Sequence, residues 1–95
     1  MITYIDDLAR IIRDSVPADV GVPEDSDALF ALYALLGRVK GTAVTTRDVH
    51  DAWVLWMQLR GDRHQSMVPF EDLDVGTQRE DEPFVHAIRA AVSAV

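Results

Sequence analysis

Three histidines, His50, His64 and His86, are the side chains of this chain best suited to proton transfer or metal binding. Metal sites place imidazoles at recognisable spacings, such as two on one helix face four residues apart. None of the three has a second ligand at such a spacing, and His50 beside Asp51 does not form an HExxH pattern. The chain has no cysteine, so thiolate ligands, disulfides and a cysteine nucleophile are all excluded. It carries no glycine-rich phosphate loop and no nucleophile elbow, and acid pairs such as Glu71-Asp72 are too common in so acidic a protein to mark a hydrolase. The expectation is a non-enzyme, with no catalytic residue, no metal and no cofactor.

The remaining chemistry is recognition, and it concentrates between Val49 and Asp81. Both tryptophans lie there, Trp53 and Trp56, followed by Arg63 and His64, then Pro69 and Phe70, and finally Asp81. Trp56, Pro69, Phe70 and Asp81 are the candidate interaction or motif residues.

These residues need helices to position them. In the first, Ile5, Leu8, Ile12 and Val16 recur at three and four, with Thr3 and Asp6 as an approximate capping box and Pro17 as the stop. The second is capped by Asp25 or Ser26 and runs Ala28-Leu29-Phe30-Ala31-Leu32-Tyr33-Ala34-Leu35-Leu36, apolar around its whole circumference. Such a helix is either the centre of the core or has one face covered by another subunit. It should end between Gly37 and Gly41.

Thr45 or Thr46 can cap the third helix, Thr45 with Asp48 approximating a capping box, and on it Val49, Ala52, Trp53, Trp56 and Met57 share one face, while Leu55 and Leu59 make a second. The first of these faces predicts a Trp53 buried against the last helix. Gly61 breaks the third helix. Asp81 or Glu82, followed by Pro83, starts the last one, whose stripe is Phe84, Val85, Ile88, Ala91, Val92 and Val95. Residues 71 to 82, six acids against Arg79 alone, read as a solvated acidic face. The fold class expected is all-α: one domain over residues 1–95 with four helices, a loop and at most a very short β pair between Ala43-Val44 and Met67-Val68.

Bulk properties narrow the partners. The net charge of −7 is spread evenly, with seven acids against four bases in residues 1–40 and nine against five in 41–95. Without a basic patch, nucleic acid and anionic membrane surfaces are disfavoured. No apolar run approaches the roughly 20 residues of a membrane span, and the MITYIDDLAR start lacks a basic leader region, so a cytoplasmic protein is expected. A chain of 95 residues has little core to spare. The surplus apolar faces of helices 2 and 3 therefore predict a homodimer.

VHDAW at 49–53, RHQSMVPFEDL at 63–73, and then Gln78 and Asp81 before an amphipathic helix resemble the ryanodine-receptor repeat, or RyR domain, over about residues 49–94. His50, Trp53, His64, Val68, Pro69, Phe70 and Leu73 carry the resemblance, which lacks the family's aromatic hairpin and has Gln65 in place of a proline. It implies a helical protein with paired repeats and, in some members, an adenine nucleotide stacked on the helix tryptophan. The whole chain also resembles small uncharacterised proteins of actinobacteria and their phages. The function expected is a non-enzymatic protein-interaction module, such as a phage or bacterial accessory protein that binds a host or partner protein. The alternative is a small-ligand, nucleotide-binding module of the RyR type, for which the resemblance implies Trp53, Arg63 and His64 as the candidate ligand contacts.

Overall fold

Local signals account for most of the helix ends. The structure is a computed structural model that describes residues 1–95, and it contains no strand. Four long helices, α1 (Tyr4–Ser15), α2 (Asp27–Lys40), α3 (Thr46–Arg60) and α5 (Glu82–Ala94), are joined by a short α4 (Val75–Arg79) and two 3-10 turns, Gly41–Ala43 and Phe70–Asp72. The all-α, four-helix reading holds. Both capping boxes form: Thr3 accepts from the Asp6 amide while Asp6 accepts from the Thr3 amide, and Thr45 and Asp48 do the same. Gly61 ends α3 at φ 77°, a left-handed conformation that costs glycine nothing and other residues more.

The expected β pair is absent, and its carbonyls show why. Val44 O is taken by the Arg89 guanidinium at 2.8 and 3.2 Å, and Val68 O by His50 Nε2 at 2.6 Å. Side chains of helices α5 and α3 thus satisfy the groups that a second strand would have used. The acidic segment is more ordered than a solvated face requires. Asp74 caps α4 by accepting from the Thr77 amide at 2.7 Å. Gln78 Nε2 donates to the carbonyls of Phe70 and Leu73.

Helix α2 is the central element, packed against α1, α3 and α5. Leu29, Phe30, Tyr33, Ala34 and Gly37 are buried, whereas Leu35 and Val39 remain exposed. The helix runs through Gly37 and ends only at Gly41. At Gly37 a Cβ would lie 2.8 Å from a Val92 methyl, so glycine is what lets α5 approach α2 this closely. Around α2 the core gathers Leu8, Ile12, Val49, Trp56, Val85 and Ile88. No helix is long and apolar enough to cross a membrane.

Candidate functional site

Helices α2, α3 and α5 meet the Val20–Pro23 loop and the His64–Ser66 loop around one cavity of about 390 Å³. That is within the range of roughly 300–1,000 Å³ usual for small-ligand pockets. Its chemistry comes from Tyr33 on α2, His50 and Trp53 on α3, His64 on the loop, and Glu80 and Asp81 at the start of α5. Three of these six were singled out from the sequence: Trp53, His64 and Asp81.

The aromatic walls are held firmly. Tyr33 packs edge-on against Phe30 at 5.3 Å and lies 5.8 Å from Phe84. Trp53 stacks on His50 at 5.9 Å and meets His64 edge-on at 5.5 Å. A carbonyl only accepts, so His50 must donate from Nε2 to bond Val68 O. His64 is oriented in the opposite sense, because its Nδ1 accepts from the Ser66 amide at 3.0 Å.

Two polar groups of the cavity lack a partner within the chain. Tyr33 is 2% exposed, yet its hydroxyl bonds to nothing in the protein. Since no fully enclosed side-chain nitrogen or oxygen is without a partner, that hydroxyl must open onto the cavity it lines. Burial, with the Asp81 charge nearby, pushes its pKa far up, so it stays a neutral phenol. Asp81 precedes the first turn of α5 but makes no capping hydrogen bond with its side chain. Burial raises its carboxyl to about 6, with the His50 charge pulling down and Glu80 pushing up. Ionisable groups perturbed this way inside a cleft are a common mark of functional sites.

The other expected site residues lie elsewhere. Arg63 lines a broad, open depression beside the cavity with Gln58, Asp62 and Gln65, and His64 alone of the candidate contacts borders both. Trp56 is core, 3% exposed, with Arg60 lying 4.3 Å over its ring. Its neighbour Trp53, expected to be buried against the last helix, is instead half-buried at the cavity wall. Phe70 sits between His50 and Arg47, which also pairs with Glu71. Pro69 borders a shallow groove on the outer side of α3 with Leu55 and Val68. No three His, Cys, Asp or Glu side chains gather where they could hold a metal ion.

Tyr33, His50 and Glu80 were missed as site residues. A phenol inside an otherwise wholly apolar run is the only sequence signal for Tyr33, because a buried tyrosine hydroxyl usually needs a partner.

Fold and cavity together define a small all-α domain with a preformed pocket that is both acidic and aromatic. Residues 3–93 match the family described as Domain of unknown function (DUF7701), and the chain belongs to that family. No curated protein and no solved structure matches it. The expected RyR kinship is therefore corrected: the family spanning the chain is DUF7701, and the expected link to actinobacterial and phage proteins falls with it. The residues that suggested RyR serve a local packing purpose. His50 holds the carbonyl just before Pro69, and Gln78 holds the carbonyls of Phe70 and Leu73. A helix histidine over a Val-Pro-Phe turn meets this need whatever the family.

Proposed function

We propose that this domain is a non-enzymatic protein-interaction module that grips its partner at the cavity between α2, α3 and α5. The observation that carries the reading is the Tyr33 hydroxyl, inside a core residue yet bonded to nothing in the chain. Leaving such a group without a partner is unfavourable unless something else satisfies it. The hydroxyls of Ser66 and Thr77, which line the cavity, are not hydrogen-bonded to a base: the bonds of these residues to His64 and Asp74 run through their backbone amides. Self-association belongs to the same proposal, through the exposed Leu35 and Val39 of α2 or Leu55 and Leu59 of α3. So does a cytoplasmic setting, which suits a chain without cysteine.

The test is affinity capture with the intact protein in parallel with Tyr33→Phe and Trp53→Leu variants shown by circular dichroism to be folded. A partner retained by the wild type and lost by both variants is the expected result. Capture that is indifferent to both variants refutes the cavity as the grip.

The second reading is a nucleotide pocket, and Trp53 against His64 is the observation in its favour. Charge opposes it. No lysine or arginine lines the cavity, whereas Glu80 and Asp81 do. Arg60 is committed to Asp62 and to the Trp56 ring. Phosphates inside the cavity would meet like charge, and Arg63 lines the neighbouring depression instead of the cavity.

A further inference from the structure

We propose that the cavity receives the cationic end of a basic side chain, lysine or arginine, presented by the partner protein. The inference rests on the interaction reading above and specifies the chemistry of the contact. Its first support is the balance of charge. Two carboxylates, Glu80 and Asp81, line the cavity, and no lysine or arginine does. The Asp81 side chain, half-buried and free of any capping bond, keeps its acceptor capacity for an incoming donor.

The second support is independent of charge. Tyr33 is almost wholly buried, and its unpartnered hydroxyl opens onto the same space. Its oxygen is a second acceptor beside the carboxylates. An ammonium brings three donors and a guanidinium five, so either finds several acceptors here. The rings of Tyr33, Trp53 and Phe84 line the cavity as well. They suit both the aliphatic stem of a basic side chain, which packs on apolar surface, and its charged head, which the faces of aromatic rings attract.

Anions are the competing class, because the positive end of α5 lies at this site. That end is already faced by Asp81 and Glu82, and Pro83 removes one of its free amides. An uncharged apolar side chain is a poorer match, since it would leave both the Asp81 carboxyl and the Tyr33 hydroxyl without a partner.

The experiment is an NMR titration of the isotopically labelled full chain at neutral pH. The probes are the Nα-acetyl N-methylamides of lysine, arginine and norleucine, with AMP as the anionic probe. Expected are saturable shifts from both cations at the Trp53 indole and the Tyr33 and Phe84 amides, with no comparable effect of norleucine or AMP. Asp81→Asn should weaken the cations about tenfold without altering the spectrum away from the cavity. Norleucine binding as well as lysine, AMP displacing the cations, or no saturable response to either cation would each overturn the proposal.

Partner capture separates this inference from the reading beneath it. If the partner is lost with Trp53→Leu while neither cation binds, the interaction module stands and the basic side chain falls. If the cations bind while capture ignores every cavity variant, the site serves a free amine, and the partner's side chain is excluded.

Discussion

Replacing Asp81 by asparagine should make the protein more stable at neutral pH, although it removes a charge from the candidate site. In the folded chain, burial lifts the Asp81 carboxyl from 3.8 to about 6. A rise of about 2 in pKa, at 1.36 kcal/mol per pKa unit, corresponds to about 3 kcal/mol. The side chain is only half-buried, so solvent screening reduces this to about 1–2 kcal/mol. Because the folded value is the higher one, the protonated carboxyl favours the fold. That contribution is complete below 3.8 and is lost as pH rises through about 6.

Asparagine keeps the shape without the charge, and Asp81 makes no capping bond that the substitution would remove. Urea melts of both proteins should therefore agree at about pH 3.5 and diverge by about 1–2 kcal/mol at about pH 7.5, with asparagine the more stable. The difference amounts to roughly 5–15 °C in Tm for a domain of this size. His50 on α3, Tyr33 on α2 and Glu80 beside Asp81 interact with the carboxyl, and His64 on the loop lines the same cavity. They are present in both proteins, so the difference isolates Asp81. Equal midpoints at both pH values, or a less stable asparagine variant at neutral pH, would refute the reasoning. The second outcome would mean that the carboxylate supports α5 after all. A charge kept at the expense of the fold is what a binding site requires of its residues.

Two further substitutions probe the packing around the cavity. Trp56→Ala should lose about 3–5 kcal/mol, the range for a buried aromatic, whereas Trp53→Ala should lose about 1–2 kcal/mol because its ring is half in solvent. Denaturant midpoints in the reverse order would show that the two rings had been misassigned. Gly37→Ala gains up to about 1 kcal/mol of helix propensity but forces a Cβ to 2.8 Å from a branched Val92 side chain, an overpacking worth about 1–3 kcal/mol. A net loss of about 1 kcal/mol is expected by urea melt. A stabilised variant would mean that α5 yields more readily than its packing implies.

The RyR expectation gave way to the DUF7701 match, and the residues that suggested it are joined by a bond the sequence does not announce. His50, Val68 and Pro69 are 18 and 19 residues apart in sequence but are joined in space by one hydrogen bond from an imidazole to a carbonyl. Spacing in a sequence reports which residues are present, not which bond they make. The same limit explains the missing β pair, since nothing local announces that Arg89, 45 residues away, will take the Val44 carbonyl. It also explains why Trp53 and Trp56, neighbours on one helix face, divide between cavity wall and core.

Helix ends were legible because their causes are local. A threonine three residues before an aspartate, a glycine at φ 77° or a proline after Val16 acts within one turn of helix, whatever the rest of the chain does. The all-α class followed from the same short-range periodicity, and so did the central place of α2, whose apolar circumference had to be covered on several sides. The cavity is different in kind. Tyr33, His50, His64 and Asp81 come from four separate segments and meet only once the helices have chosen their register. That register depends on side-chain fit between distant segments, such as the approach of α5 to Gly37, and no pattern within three or four residues encodes it. Local sequence signals marked the ends of the four long helices but not the short α4. Tertiary packing decided that a core tyrosine would turn its hydroxyl toward an acidic pocket.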